Sequence, residues 1–493
     1  MYDLDKIKID VGNFCSDINK EWYLNWAGLK DELNVSAIYE KYRHLFSKEL
    51  ILEIRNRRNQ ASREDERKLR YLQAFFLEYY LDMTVKELTD RSETMQAKGT
   101  IKCDGEEMPF RLAFITMINE PGREKRRKLF DARNCFIDEI NVPLVSRMQK
   151  LHDTSKDFGY QNYMALFEDI KSIDFQALEH IMRDFIGQTE SIYTARMNEE
   201  LQKKIGVRLE EAEKHDVRFF FRAKEFDEYF RKENILRMLR KALANMGIHL
   251  EEQRSIHIDL EERPKKSPRA FCGPIRIPED IKLVMMPHGG HDDYATLFHE
   301  AGHAEHFACV NPQLPVEYKW LGDNSVTESF AFLLEYLLMD ENWLEQNIKI
   351  DKAEEYLSFA TLYKLLFLRS YGARLSYEIK LHTKDLKGMD EVYRSTLESV
   401  LVYKHPINHY LITVDDGFYS AQYLQAWIFE AQLRNFLRKE YGDEWFNNRE
   451  VGEFLMNMWA NGQEYSVVEL AKMIGYSGLN IEPLIVSLRK HLD

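Results

Sequence analysis

Two histidines and a glutamate stand at a spacing suited to metal-assisted hydrolysis. His299, Glu300 and His303 form a His-Glu-x-x-His motif. On an α-helix the four-residue step places both imidazoles on one face, close enough to bind one metal ion. Glu300 directly follows the first histidine, where its carboxylate can reach a metal-bound water without binding the metal itself. The motif is short, so the rest of the chain has to supply a third ligand and groups that bind a substrate.

A second helix-like segment offers the third ligand. Catalytic zinc usually takes three protein ligands and leaves the fourth position for water. The metzincin pattern requires a histidine six residues after His303, but Cys309 stands there. Glu328 follows His303 by twenty-five residues, among apolar neighbours that make an unpaired carboxylate costly. We therefore predict one zinc ion per chain, bound by both histidines and Glu328. Glu335, two turns on, is either a partner of a ligand or part of a structural ion pair.

A third cluster offers hydrogen-bond donors for the tetrahedral oxyanion of peptide hydrolysis. Phenols and imidazoles suit this task. Tyr419 and Tyr423 would lie one turn apart on a helix that begins near Gly417, and His405 and His409 precede them. These two phenols and two imidazoles are the candidate donors. Because the chain contains 26 tyrosines, core packing is the alternative for both phenols.

Proline positions indicate which elements hold these residues. Seven of the twelve prolines fall between Pro264 and Pro315, and none occurs in residues 149–263 or 316–405. Because proline breaks helices, the two proline-free tracts are predicted to be long helices with an irregular section between them.

The irregular section is predicted to contain a small β-sheet. Residues 255–260 alternate apolar and polar side chains, and residues 281–286 are apolar and β-compatible. The second strand runs directly into the His-Glu-x-x-His helix. A strand edge beside a metal can hydrogen-bond an extended peptide, and an ordinary buried strand is the alternative.

Composition and charge restrict the class of partner. The 82 acidic and 68 basic residues give a formal net charge of −14, so nucleic acid would be repelled on average. No apolar core follows the first residue, and the most apolar stretch, residues 329–339, is too short for a bilayer. Five scattered cysteines without a Cys-x-x-Cys pair indicate free thiols in a reducing cytosol. We therefore expect a cytoplasmic protein with no nucleic-acid or membrane partner.

Several segments together resemble the thimet oligopeptidase and oligoendopeptidase F family of zinc peptidases. Residues 293–306, DYATLFHEAGHAEH, are similar to the family's D-x-x-T-L-F-H-E-x-G-H-A-x-H. Glu328, with Glu335 seven residues later, resembles its glutamate-ligand helix. Residues 417–423, GFYSAQY, resemble its G-G-Y-D-A-Q-Y, whose tyrosines and an upstream histidine bind substrate and stabilise the oxyanion. The resemblance covers roughly residues 255–435.

The resemblance implies a mainly α, two-lobed fold and a reaction. Members of this family are largely helical, with the metal at the bottom of a deep channel that admits short unfolded peptides. For this chain we predict a helical N-terminal lobe at residues 1–250. Residues 251–493 would form a catalytic lobe with the small sheet, the zinc-binding helices and the C-terminal helices. The implied activity is hydrolysis of short peptide substrates, with Glu300 as the base that activates a zinc-bound water.

Departures from the family pattern leave two alternatives. The family's E-x-P-S-Q reads ESFAF at residues 328–332, Val414 stands where the upstream histidine is expected, and Ala426 replaces a third tyrosine. His409 is the best substitute for that histidine and His405 is the next, so the resemblance implies catalytic roles for Tyr419, Tyr423 and His409. Glu328-Ser329 and the chain length also resemble the carboxypeptidase Taq family, whose E-S-x-S-R has an arginine at the position of Phe332. One alternative is therefore a zinc carboxypeptidase, and the other is a non-catalytic helical protein that binds peptides.

Overall fold

The computed structural model describes residues 2–222 and 224–493. The described chain is mainly α-helical, as predicted, with 21 α-helices, one two-stranded sheet and one three-stranded sheet. Within these described residues, no helix combines the length and the hydrophobicity that crossing a bilayer requires.

The elements follow one another along the chain with few long connections. The first thirteen are α1 (Leu4–Trp26), α2 (Val35–Lys41), α3 (Lys48–Asn59), α4 (Arg63–Lys98), β1 (Thr100–Cys103), β2 (Glu106–Pro109), α5 (Phe110–Asn119), α6 (Arg123–Asp157), α7 (Tyr163–Lys171), α8 (Phe175–Gln188), α9 (Glu190–Ile205), α10 (Lys214–Phe220) and α11 (Ile235–Asn245). The others are β3 (Ile256–Asp259), β4 (Phe271–Arg276), β5 (Asp280–Val284), α12 (His291–Cys309), α13 (Val316–Trp320), α14 (Asn324–Glu335), α15 (Glu341–Asn347), α16 (Ala353–Thr383), α17 (Met389–Leu401), α18 (Tyr419–Tyr441), α19 (Arg449–Trp459), α20 (Val467–Met473) and α21 (Glu482–Leu492). Short 3-10 helices include Ile407–Tyr410 and Asp416–Phe418.

The absence of proline correctly predicts a long helix in residues 316–405 but not in residues 149–263. Residues 316–405 contain α16, a helix of 31 residues. After α6 ends, residues 149–263 hold helices of 16 residues at most, which corrects the expectation of long helices there. Gly159, Ser172 and Gly206 end helices of this tract in the left-handed conformation, with φ of 82°, 56° and 69°. A left-handed residue stops a helix without any proline, so a count of prolines misses such breaks.

The chain forms two compact units, each assembled from separated segments. The described residues of the first unit lie within Met1–Leu77, Lys224–Leu357 and Gln425–Ser487. Those of the second lie within Glu78–Ala223, Ser358–Leu424 and Leu488–Asp493. This division differs from the predicted boundary at residue 250. In the first unit α1 packs against β4 and α11 against α12, so these early helices belong to the unit that contains the His-Glu-x-x-His motif.

The three-stranded sheet of the first unit has the order β3-β5-β4. β3 is parallel to β5, and β4 is antiparallel to it, with Cys272 opposite Leu283 and Pro274 opposite Ile281. The predicted strands at 255–260 and 281–286 are therefore confirmed as β3 and β5. The strand that leads into α12 is, however, the central one. The edge beside the motif helix belongs to β4, which has a partner on one side only.

A short connection between β5 and α12 contains two glycines in the left-handed region. Gly289 and Gly290 adopt φ of 91° and 99°, a region that side chains with a Cβ rarely enter. The Asp293 carboxylate accepts hydrogen bonds from the backbone N–H groups of His288 (2.5 Å) and Gly289 (2.7 Å). This carboxylate satisfies donors at the start of the helix and holds the turn against the first turn of α12.

Candidate metal centre

Helices α12 and α14 pack together and bring three potential ligands to one point. His299 and His303 lie one turn apart on α12, with ring centroids 4.9 Å apart. Glu328 faces them from α14 and is 4% exposed. One ligand atom from each of the three residues lies within 4.8 Å of the others. The sequence-predicted set of His299, His303 and Glu328 is thus brought together in space.

The distances among these atoms fit a tetrahedral metal ion. Glu328 Oε2 lies 3.3 Å from His299 Nε2 and 3.7 Å from His303 Nε2. Ligands about 2.0–2.2 Å from a tetrahedral ion are separated from one another by about 3.4 Å. Two imidazoles and one carboxylate also leave a fourth position open, as catalytic zinc sites do. The residues present therefore fit a divalent metal of the zinc type.

Each histidine is oriented through its second ring nitrogen. His299 Nδ1 lies 2.9 Å from Glu335 Oε2, and His303 Nδ1 lies 2.7 Å from Thr327 Oγ1. A histidine that donates its Nδ1–H outward presents the lone pair of Nε2 to the opposite side. Both Nε2 atoms consequently face Glu328. Glu335 is thus the hydrogen-bond partner of His299, one of the predicted ligands.

The two imidazoles have different electrostatic surroundings. Burial lowers the pKa of His303 to about 4, and the nearby charges of Glu328 and His299 act in opposite directions. Burial would also lower the pKa of His299, but hydrogen bonds to Glu328 and Glu335 outweigh it and hold this pKa well above its usual range. A divalent cation would replace the proton that His299 otherwise shares with these carboxylates.

Glu300 lies beside this centre and is held by the sheet. Its Oε2 accepts a hydrogen bond from the backbone N–H of Cys272 on β4, at 2.7 Å. Burial raises the pKa of Glu300 to about 7, the charge of His299 and the Cys272 N–H lower it, and Glu328 and Glu335 raise it further. One carboxylate oxygen is thus anchored, and the side chain is half-buried.

A layer of aromatic side chains backs the centre on the α14 side. The Phe332 ring meets the His299 ring edge-to-face at 5.1 Å and stacks on Trp427 at 5.1 Å. Trp427 Nε1 donates to the Tyr336 hydroxyl at 2.7 Å, so the indole N–H is satisfied inside the core. Phe332 is 5% exposed and packs against His299.

The other predicted site residues belong to the second unit. Tyr419 and Tyr423 lie one turn apart at the start of α18, as predicted, with ring centroids 5.0 Å apart. The Tyr423 ring also contacts Tyr371 on α16, at 5.5 Å. The left-handed residues Gly417 and Phe418, with φ of 65° and 55°, precede this helix. Both tyrosines therefore stand in an aromatic cluster of the second unit, and their catalytic role stays a prediction.

The predicted histidines near this cluster have hydrogen-bond partners of their own. His409 Nε2 lies 2.9 Å from Asn134 Oδ1, and His409 Nδ1 lies 3.0 Å from Lys214 Nζ. His405 Nδ1 lies 3.1 Å from the Tyr403 carbonyl, and its ring stacks on Tyr403. To donate to an oxyanion, His409 would have to release Asn134.

Three contributors to the centre have weak or no signals in the sequence. Thr327 directly precedes Glu328, but a single threonine on a helix does not by itself indicate a hydrogen bond to a histidine. The Cys272 backbone N–H has no side-chain signature at all. Gly302 lies inside the motif, and a Cβ built there would be 2.5 Å from the Ala331 Cα. A glycine within a helix that binds a metal is a usable signal of close helix approach.

His299, Glu300, His303 and Glu328 therefore form one centre in the first unit. A scan of protein-family models and a search of curated proteins found no match for this chain. The function proposed next is accordingly inferred from the residues of the site and their geometry.

Proposed function

We propose that this chain is a zinc-dependent peptidase that cleaves internal bonds of short unfolded peptides. The observation that carries the proposal is the convergence of His299 Nε2, His303 Nε2 and Glu328 Oε2 beside the anchored carboxylate of Glu300. An intact base next to a three-ligand centre is the arrangement that metal-assisted hydrolysis requires. It supports an enzyme over a protein that only binds peptides.

The donor set favours zinc among common divalent ions. Two imidazole nitrogens and one carboxylate oxygen suit zinc, whereas magnesium and calcium prefer sites made of oxygen alone. When bound, zinc would act as a Lewis acid that lowers the pKa of a water molecule and polarises the scissile carbonyl. His299, His303 and Glu328 would hold it, with Glu335 and Thr327 keeping both rings in register.

Glu300 is proposed to move the proton. It follows His299 on α12, so its carboxylate lies beside the ligands without being one of them. The Cys272 N–H restrains Oε2, which leaves the other oxygen to accept a proton from the attacking water. The same carboxylate then delivers that proton to the leaving amine. Anchoring by the backbone limits rotation of the side chain, which favours proton transfer in both directions.

The edge of β4 is proposed to align the peptide. In an antiparallel pair, backbone groups point alternately toward the partner strand and away from it. The N–H of Cys272 goes to Glu300 rather than to β5, so the carbonyl of Cys272 also faces away from β5. This carbonyl can accept an N–H group of an extended peptide by strand addition. A folded protein rarely offers such a segment, which is why short unfolded peptides are the proposed substrates.

Removal of the Glu300 carboxylate tests the proposal. Glu300→Gln should retain about one zinc per chain while hydrolysis of an internally quenched peptide falls by about a hundredfold or more, the usual size of a general-base contribution. Glu345→Gln, an exposed substitution on α15, is the matched control and should behave as wild type. Undiminished hydrolysis by Glu300→Gln, or the absence of zinc from the wild-type protein, would contradict the mechanism.

Carboxypeptidase action is the runner-up, and the position of Phe332 disfavours it. The carboxypeptidase Taq pattern has an arginine at this position. Here the phenylalanine is buried against His299 and Trp427. Mass spectra of digested decapeptides separate the two modes. We expect internal fragments, and stepwise loss from the C-terminus would instead support the carboxypeptidase.

A further inference from the structure

The second unit gathers positive charge in a protein that is acidic overall. The chain carries a formal net charge of −14. Nevertheless Arg133 on α6, Lys214 and Arg218 on α10, and Arg374 on α16 lie close enough for the three arginines to act electrostatically on Lys214. We call these four residues the cationic cluster. Lys214 and Arg218 are one helical turn apart, so they occupy the same face of α10.

Lys214 is held by an imidazole instead of a carboxylate. Its Nζ lies 3.0 Å from His409 Nδ1. His409 Nε2 faces Asn134 Oδ1 at 2.9 Å, so the ring donates there and accepts the lysine at Nδ1. An ammonium group has three N–H donors, and this bond uses one of them. The uncharged imidazole holds the lysine in place and supplies no negative charge to compensate it.

Among the described residues, an acidic side chain pairs with only one of the four cations of the cluster. Within residues 2–222 and 224–493, no carboxylate forms an ion pair with Arg133, Lys214 or Arg218, and only Arg374 has one, with Asp415 at 2.7 Å. The acidic residue of α10 itself, Asp216, pairs with Arg123 and Arg126, each at 3.0 Å. Three of the four cations therefore have no negative partner in the described part of the chain. The Arg133 guanidinium lies instead over the Phe110 ring, 4.0 Å from its centroid.

This arrangement costs free energy in the absence of an anion. Burial holds the pKa of Lys214 well below its usual range, and the charges of Arg218, Arg374 and Arg133 lower it further. Burial likewise lowers the pKa of His409, and the positive charge of Lys214 lowers it further. Like charges placed together without compensation destabilise a fold, and a bound anion removes that penalty.

The cluster remains reachable from solvent. Arg218 is exposed, Arg133 and Lys214 are half-buried, and the Arg374 side chain is 22% exposed. Guanidinium groups bind planar or tetrahedral oxyanions through paired N–H donors, and an ammonium group adds a point charge. The donors of Arg133, Lys214 and Arg374 are therefore partly desolvated, Lys214 is fixed by His409, and Arg218 is accessible to solvent.

We propose that the cationic cluster of the second unit is a binding site for a small oxyanion, a carboxylate or a phosphate. Lys214 and Arg218 would contact the anion from one face of α10, and Arg133 on α6 and Arg374 on α16 would add positive charge nearby. The two sources with this chemistry are the C-terminal carboxylate of a peptide and free inorganic phosphate. The inference uses residues of the second unit alone and does not depend on the metal centre or on peptidase activity.

Thermal unfolding and calorimetric titration of the full-length protein test the site. The probes are inorganic phosphate and a tripeptide with either a free or an amidated C-terminus. We expect phosphate or the free-acid tripeptide to bind and raise the unfolding midpoint, and the amidated tripeptide to bind at least tenfold more weakly, since it lacks the charge. Binding of the free acid alone identifies a peptide carboxylate as the source, and binding of phosphate alone identifies inorganic phosphate.

Two variants and a control separate a binding role from a structural one. Lys214→Met and Arg218→Gln should each weaken anion binding by about tenfold or more, the loss expected for one charge-assisted hydrogen bond. Lys150→Met, an exposed substitution on α6, should leave the binding unchanged. Lys214→Met should also raise the unfolding midpoint in anion-free buffer, because it removes a buried charge. If no oxyanion binds at millimolar concentration, or if both cluster variants keep the wild-type affinity, the proposal is wrong.

Discussion

Gly302→Ala should disrupt the metal centre by forcing its two helices, α12 and α14, apart. A Cβ added at Gly302 would lie 2.5 Å from the Ala331 Cα, 2.6 Å from the Phe330 carbonyl oxygen and 2.9 Å from the Ala331 nitrogen. All three atoms are backbone, so no side-chain rotation relieves the clash. Carbon atoms in contact are separated by about 3.5 Å or more, so α12 and α14 would have to move apart by about 1 Å.

The consequence for the centre follows from its dimensions. His303 is the next residue on α12, and Glu328 stands one turn before Ala331 on α14. Metal–ligand distances tolerate changes of about 0.2 Å, so a separation of about 1 Å would take Glu328 out of reach or require costly distortion. We expect zinc affinity to fall by about tenfold or more and stability to fall by about 1–3 kcal/mol, the usual range for overpacking.

Zinc titration against a chelator and urea unfolding with and without zinc measure both effects. Gly187→Ala is the matched control, because this exposed glycine also lies on a helix, α8, and a Cβ there meets nothing within 4 Å. Without a clash, alanine should stabilise that helix by about 0.5–1 kcal/mol. A Gly302→Ala protein with wild-type zinc affinity and stability would refute the close approach of the two helices.

Other predictions concern the surroundings of the site and the second unit. Glu335→Gln should weaken zinc binding by about 10–100-fold in a chelator titration, since it removes the carboxylate that orients His299. Tyr419→Phe and Tyr423→Phe should each keep zinc, and the one that donates to the oxyanion should lower kcat by about a hundredfold. Glu378→Gln should flatten the dependence of stability on pH in urea unfolding. Burial raises the pKa of Glu378 from 4.5 to about 8, so the folded protein keeps a proton that the unfolded chain loses. Stability should therefore fall as pH rises through this window, by up to about 5 kcal/mol in the wild type.

Each of these predictions has an outcome that would contradict it. Wild-type zinc affinity in Glu335→Gln would mean that His299 is positioned without this hydrogen bond. Full activity in both tyrosine variants would leave core packing as the role of the phenols. Equal pH profiles for the wild type and Glu378→Gln would show that Glu378 does not hold its proton in the folded state.

The motif helix and its ligands could be predicted because they depend on local spacing. A four-residue step puts His299 and His303 on one face of any α-helix, whatever surrounds it. Glu328 was identifiable because a carboxylate among apolar residues needs a compensating partner. The mainly α composition and the strands β3 and β5 also follow from periodicity, which acts within a few residues.

Only the tertiary structure shows which of these helices and strands contact one another. The order β3-β5-β4 makes β4 one of the two edge strands, where the Cys272 N–H can reach Glu300. Periodicity along the chain identifies strands but does not encode which of them pair. The two units combine distant segments for the same reason, so no single boundary at residue 250 describes them. The cationic cluster joins α6, α10 and α16 across more than 200 residues of sequence. Spacing along a chain encodes neighbours on one helix or strand, and contacts between elements arise only when their buried faces pack.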